Sequence, residues 1–228
     1  MSGAPAERHR EIPRTARYFV VGQPNARVRR VWLACHGYGQ LARDFAASLT
    51  PLAEGGDALV VAPEGLSRFY LDRGDIGPHA GIPVGASWMT REDREHEIAD
   101  YVRWLDDALA HAMHAAGAAG ARVHALGFSQ GAATIARWVA RTHTPPDALV
   151  LWAGLLPPEL EQALGAEARP LGALPITTVA GRHDRLLSSP DLDRQEALLR
   201  RRGHDVRTLR FDGGHRVDEG VLREIAAG

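Results

Sequence analysis

Short apolar runs alternate with helix-length stretches along nearly the whole chain. That alternation restricts the fold more than any other feature of the sequence. The pattern predicts strands at 18–21, 28–35, 58–62, 122–126, 148–152, 176–180 and 206–211. Between them it predicts helices at 41–53, 92–116, 130–142, 158–164, 191–202 and 217–227. Thr90, with Asp93 three residues on, is the expected N-cap of the long second helix. Strands separated by helices give βαβ units and a mostly parallel sheet. Runs such as Ala148-Leu149-Val150-Leu151-Trp152 suit strands covered on both faces. The expected fold is therefore an α/β domain with helices on both sides of one sheet. Its 228 residues suffice for one such domain, with residues 1–16 as a flexible N-terminal arm. The stretch 64–87, with five Gly and two Pro, reads as a long irregular loop. Loops of that length are often functional.

Ligands of an open α/β sheet sit beyond the carboxyl ends of the strands, and three strand ends carry polar groups. Gly127-Phe128-Ser129-Gln130-Gly131 follows one predicted strand and leads directly into a helix. This is the G-x-S-x-G pattern in the strand–turn–helix setting of a nucleophile elbow. Small residues are needed two places either side of the serine, because the turn brings them together, and the serine is held in a strained conformation with its Oγ exposed. Asp184 ends the segment Ala180-Gly181-Arg182-His183-Asp184, and His215 ends Asp212-Gly213-Gly214-His215. The order Ser129, Asp184, His215 is that of α/β-hydrolases, with intervals of 55 and 31 residues. In that chemistry the histidine takes the serine proton and the acid orients the imidazole.

Other acids fit less well. Asp191 and Asp193 fall at the next helix, Asp205 starts a strand at the wrong end, and Asp212 stands too near His215 in sequence. The tetrahedral oxyanion also needs two backbone N–H donors. Gln130, after the nucleophile, supplies one, and Tyr38 in His36-Gly37-Tyr38-Gly39-Gln40, after an early strand, supplies the second.

His36-Gly-Tyr-Gly, Gly127-Phe-Ser-Gln-Gly, Gly181-Arg-His-Asp and Gly213-Gly-His resemble the phospholipase/carboxylesterase family of α/β-hydrolases, which includes the acyl-protein thioesterases. The resemblance runs from about Val31 to the C-terminus. It implies a hydrolase with little or no cap domain that cleaves carboxylic esters or thioesters without a cofactor. It also implies Ser129, Asp184 and His215 as the triad, and Tyr38 and Gln130 as oxyanion donors. The segments Pro63-Glu-Gly-Leu-Ser-Arg-Phe-Tyr and Gly85-Ala-Ser-Trp-Met-Thr-Arg-Glu are closer to bacterial esterases of the group than to the thioesterases.

Composition removes several rival chemistries. All 27 cations are Arg, so no mechanism that needs a lysine is available. The single Cys35 excludes an internal disulfide and reads as a small buried hydrophobe. The net charge of −1 argues against nucleic acid as the main partner. No apolar run reaches the ~18 residues of a membrane helix, and the start of the chain has no apolar signal region, which points to the cytoplasm.

Phe69, Tyr70, Trp88, Met89, Leu155 and Leu156 are candidates for the wall of an acyl or alcohol pocket. An exposed apolar loop there would serve a homodimer as readily as a substrate. Gly37-Tyr-Gly-Gln-Leu-Ala also fits a dinucleotide fingerprint, with Glu64 as the ribose acid, but that reading leaves Ser129, Asp184 and His215 without a role. His96-Glu-Ile-Ala-Asp100 nearly matches a zinc-protease motif and reads as a solvated helix start, so no metal or cofactor is expected. The expected activity is that of a serine carboxylesterase. A thioesterase, a silent hydrolase-fold binding protein and a nucleotide-binding dehydrogenase are the alternatives.

Overall fold

The computed structural model describes residues 5–71, 81–166 and 170–228. In chain order the elements are β1 (Tyr18–Val21), β2 (Arg30–Cys35), α1 (Ala42–Ser48), β3 (Ala58–Pro63), β4 (Ser67–Tyr70), β5 (Val84–Ser87), α2 (Arg94–Ala115), β6 (Arg122–Phe128), α3 (Gln130–Val139), β7 (Ala148–Trp152), α4 (Pro158–Gly165), β8 (Ile176–Gly181), α5 (Ser189–Arg201), β9 (Val206–Phe211) and α6 (Glu219–Ala227).

Seven strands form one sheet in the order β1-β3-β2-β6-β7-β8-β9. Only β1 runs antiparallel, pairing Tyr18 with Pro63. The central parallel strands β2, β3 and β7 are buried on both faces, which is why their sequences are continuous apolar runs, whereas β9 at the edge is partly exposed and carries Arg207, Thr208 and Arg210. One face packs Leu33 and Leu149 against Ile98, Tyr101 and Leu105 of α2, Ile135 of α3 and Leu199 of α5. The other packs Trp32, Val150 and Trp152 against Phe45 of α1 and Leu222 and Ile225 of α6. Two apolar cores thus clamp a single sheet. The strand order reverses at β2, whose neighbours are β3 on one side and β6 on the other. A crevice opens at the carboxyl ends of strands at such a switch point. The loops after β2 and β6 meet there, and they carry Tyr38 and Ser129.

Several predicted boundaries move, each for a local reason. The stretch 64–87 is not wholly irregular: β4 and β5 form an antiparallel hairpin with Ser67 opposite Ser87 and Tyr70 opposite Val84. Its residues 72–80 lie outside the described residues, as do 1–4 of the expected arm. The helix expected over 41–53 ends at Ser48 and gives way to a 3-10 turn at Thr50–Ala53, where Pro51 lacks the N–H an α-helix requires. The long helix begins at Arg94, and its cap is Asp93 in a left-handed conformation (φ 47°), not Thr90. Thr90 is held elsewhere: its N–H donates to Glu97 Oε2 at 2.6 Å, and its Oγ1 accepts from the Glu92 amide at 3.1 Å. The strand expected at 28–35 starts at Arg30, because Val28 N–H closes a turn on Asn25 O. The helix expected over 130–142 stops at Val139. The last helix starts at Glu219, capped by Asp218, whose Oδ1 accepts from Gly220 and Val221 amides.

Candidate active site

The turn after β6 is built by steric exclusion. A Cβ on Gly127 would stand 2.1 Å from Gly131 O, and a Cβ on Gly131 would stand 2.1 Å from Cys35 O. Only hydrogens fit at either place, so the chain can reverse from β6 into α3 within a few residues. Ser129 sits at the apex with φ 55° and ψ −117°, a region that non-glycine residues rarely occupy. Its amide donates to Trp152 O at 2.8 Å, and its carbonyl accepts from Ala132 N at 2.9 Å. These bonds to β7 and α3 hold the strained residue in place. Gln130 opens α3, so its N–H is one of the helix's orphan donors and lies at the positive end of the dipole.

Asp184 and His215 come together from the loops after β8 and β9. His215 Nδ1 and Asp184 Oδ2 are 2.8 Å apart. Asp184 Oδ1 accepts from the amides of Leu186 (2.8 Å) and Leu187 (3.1 Å), and the carboxylate is 2% exposed. Both oxygens of that acid are therefore engaged, one by two amides and the other by the imidazole. The loops are tied by main-chain bonds from Arg182 N to Phe211 O and from His183 N to Gly213 O, each 2.9 Å. The His215 ring packs 5.0 Å from that of Phe128, the residue before Ser129. Trp152 Nε1 donates to Arg216 O at 3.0 Å, fixing the histidine loop to the end of β7. The competing acids are elsewhere: Asp212 pairs with His183 at the surface, and Asp193 lies beside Arg210.

The loop after β2 is set by His36, which is fully buried. Gly65 N–H donates to His36 Nε2 at 3.0 Å, so the proton is on Nδ1, which donates to Gly37 O at 2.8 Å. Burial pushes the His36 pKa down, against smaller upward pulls from the Gly37 carbonyl and Glu64, which agrees with this neutral form. The Gly37–Tyr38 peptide is trans, so holding Gly37 C=O toward His36 aims Tyr38 N–H the opposite way. Among the described residues no hydrogen bond uses that N–H. Gly37 N–H itself is taken by Gln40 Oε1 at 2.7 Å. A Cβ on Gly37 would stand 3.2 Å from Ser129 Cβ, so the loop lies directly against the serine.

The six expected pocket residues separate by burial. Trp88 is 1% exposed and packs between His36 (ring centroids 4.9 Å) and Tyr101 (6.1 Å), while its Nε1 donates to His36 O at 2.9 Å. It supports the loop from behind and has no surface to offer a substrate; buried Leu156 has none either. Leu155 packs on the small cluster of Ala180, Leu187 and Leu192. Met89 lies under the main core, with Sδ 3.5 Å from Arg137 Nη1. Phe69 and Tyr70 point to opposite faces of the hairpin, and Phe69 meets the ring of Tyr38 at 5.0 Å. Tyr38 itself is 57% exposed.

Sequence reasoning missed two contributions. The Gln130 side chain clamps 87–89, with Nε2 donating to Ser87 Oγ (3.1 Å) and Met89 O (3.0 Å) and Oε1 accepting from Trp88 N (3.3 Å). His36 carried a signal as the first residue of its motif, but its acceptor role depends on Gly65, which no local pattern links to it.

The dinucleotide alternative fails on Glu64. Its buried carboxylate accepts from Arg17 Nε at 2.8 Å and Arg68 Nε at 2.5 Å, leaving nothing for a ribose. Burial alone would raise its pKa; the Arg17 and Arg68 bonds outweigh that and hold it below the usual carboxylate range. Cys35 is fully buried, which pushes its thiol well up and leaves it inert. No helix of the described residues is long and apolar enough to cross a membrane.

A family model described as serine hydrolase (FSH1) matches residues 29–219. No curated protein matches the chain. Among solved structures, the esterase PE8 is 22% identical with a TM-score of 0.67, over 93% of this chain and 96% of its own. A carboxylesterase from Mesorhizobium loti is 18% identical (TM-score 0.67, 93% and 95% covered). Acyl-protein thioesterase 2 from Zea mays is 19% identical (TM-score 0.63, 93% and 97% covered). At these identities the likeness is one of fold.

Proposed function

The chain belongs to the serine hydrolase (FSH1) family, and from that premise we propose that it is a carboxylesterase working through an acyl-enzyme on Ser129. The observation that carries the reading is the buried Asp184 carboxylate, bonded at 2.8 Å to His215 and by two amides from its own loop. In the proposed reaction Ser129 Oγ attacks the ester carbonyl carbon and His215 Nε2 takes the hydroxyl proton. Asp184 holds the Nδ1–H tautomer and stabilises the imidazolium. The tetrahedral oxyanion is held by the N–H groups of Tyr38 and Gln130. Collapse breaks the bond to the alkoxy oxygen, which leaves as the alcohol with the proton from His215. Water repeats the sequence on the acyl-enzyme, releasing the acid and restoring Ser129.

The exposed Tyr38 ring and the Phe69 ring against it are proposed as the apolar wall that meets the substrate. We read the chain as one hydrolase unit without a cap and place it in the cytoplasm. A thioester carbonyl would enter the same machinery, and the maize neighbour is named for that activity.

The test is hydrolysis of p-nitrophenyl esters from acetyl to palmitoyl, run beside the matching acyl-CoA thioesters, with Ser129→Ala as control. Ester turnover that vanishes in the variant supports the reading, and the best chain length sizes the pocket. Turnover of thioesters alone replaces it with the thioesterase. Turnover that persists in Ser129→Ala overturns the nucleophile.

A further inference from the structure

The described part of the N-terminal arm, residues 5–16, runs beside α2 without one buried side chain. Even Ile12 is exposed. What holds the segment is polar. Arg103 Nη1 donates to Glu11 Oε1 at 2.7 Å, and His9 meets the start of α2. Exposed ion pairs offset little of the backbone entropy lost on ordering such a segment. A stronger tie would fix it there.

The groups at His9 have the chemistry for it. His9 Nε2 lies 3.2 Å from Asp93 Oδ2 and 3.1 Å from Glu7 Oε1. His96 Nδ1 lies 2.7 Å from Asp93 Oδ1. The two imidazoles stack with centroids 4.0 Å apart and planes 23° from parallel. In any protonation state His9 Nε2 has one N–H or one lone pair, yet it faces two carboxylate oxygens. Protonating both rings would set two cations face to face. A single divalent ion would satisfy both carboxylates and both rings at once, each imidazole offering a lone pair.

The donors are near enough to converge. Zinc bonds of ~2.0–2.2 Å in tetrahedral array put neighbouring ligand atoms about 3.4 Å apart. The ligand atoms of His9, Asp93 and His96 lie within 4.8 Å of one another, so small side-chain rotations at the surface would bring them to that spacing. The surrounding charge is mixed. Glu92 and Glu97 add negative charge on the same stretch, while Glu95 and Asp100 are paired with Arg94 and Arg103, and Arg8, Arg10 and Arg91 oppose a cation. The positive end of the α2 dipole opposes binding too, and Glu92 and Glu97 act against it.

We propose that His9, His96 and Asp93 form a surface site for a divalent transition-metal ion such as Zn²⁺, and that the ion latches the N-terminal arm onto the start of α2. Two imidazoles and a carboxylate, with no thiolate, form a set that zinc takes and that other first-row divalent ions share, so zinc is the probe. Glu7 or water takes the fourth position. The site is separate from Ser129 and does not depend on the esterase reading. The near-motif His96-Glu-Ile-Ala-Asp100 points to the wrong carboxylate, since Asp100 is bonded to Arg103 at 2.6 Å.

The experiment is calorimetric titration of the metal-free full-length protein with zinc chloride at neutral pH. It is paired with trypsin digestion at Arg10 and Arg14 with and without zinc. The expected result is one ion per chain and slower cleavage of the arm when zinc is present. His9→Ala and His96→Ala should each weaken binding by roughly tenfold or more and abolish the protection. Both positions are exposed, and a thermal melt of each variant checks that it folds. His114→Ala, a distant surface histidine on the same helix, should bind as wild type. No binding at millimolar zinc overturns the proposal. So does binding that survives in both His9→Ala and His96→Ala, or binding that leaves the arm as easily cut as before.

Discussion

His36 and Asp184 each act on a neighbour that the proposed chemistry needs, and each gives a measurable consequence. In Asp184→Asn the carbonyl oxygen can still accept from the Leu186 and Leu187 amides, so the loop survives. The amide NH₂ then faces His215 Nδ1 and forces the wrong tautomer. We expect kcat on a p-nitrophenyl ester to fall by about 10⁴ with an unchanged melt. His36→Ala removes the donor to Gly37 O and the acceptor for Gly65 N–H, leaving a buried amide unpaired. That should cost roughly 1–3 kcal/mol of stability, visible as a lowered Tm. It should also free the Gly37–Tyr38 peptide to turn, lowering kcat by up to ~10²–10³ while KM moves little. A fall in Tm alone, with kcat intact at temperatures where the variant is folded, would show that His36 does not orient that peptide.

At the scale of elements, the helices on one face are joined by charge as well as by packing. Glu159 of α4 accepts from Arg137 of α3 at 2.6 Å and pairs with Arg94 of α2 at 2.9 Å. Burial alone would raise its pKa; the Arg137 bond outweighs that and, with Arg94, brings it down to about 2. A folded pKa below the unfolded one gives stability that is fully present above the unfolded value. That stability is lost as pH falls toward the folded value. Glu159→Gln should therefore melt below wild type at pH 7. Because Glu159 is partly exposed and screened, the gap should be only about 2–4 °C, as for ~1 kcal/mol in a chain of this size. The gap should close between about pH 5 and pH 2. A gap that is constant across that range would mean that the charge contributes nothing. Element boundaries also follow local side-chain bonds: Thr90 Oγ1 accepts from the Glu92 amide in a turn that precedes α2, and Asp93 stands at the helix start instead.

Over the whole molecule, stability should come from the two cores and activity from loops at one end of the sheet, so the two should separate. Leu105, fully buried in α2 and packed on the sheet, lies in the larger core. Leu105→Ala should cost roughly 2–5 kcal/mol, or about 2–4 °C of Tm for each kcal/mol, with kcat unchanged well below the new melting point. A loss of kcat in the folded variant would show that the core and the site are coupled.

The sequence alone determined the α/β class, the order along the chain of the seven main-sheet strands and the helices between them, and the strand ends at which Ser129, Asp184 and His215 stand. Strand periodicity and the small residues of a sharp turn are local properties, legible wherever the chain is read. The tertiary structure decided the rest. It turned part of the expected 64–87 loop into a hairpin, put Trp88 behind the loop rather than in a pocket, and set Glu64 between two arginines. It also brought His9 to Asp93 and His96. Each of these depends on which distant residues meet, and burial, hydrogen-bond partners and charge pairing exist only once the chain has closed on itself.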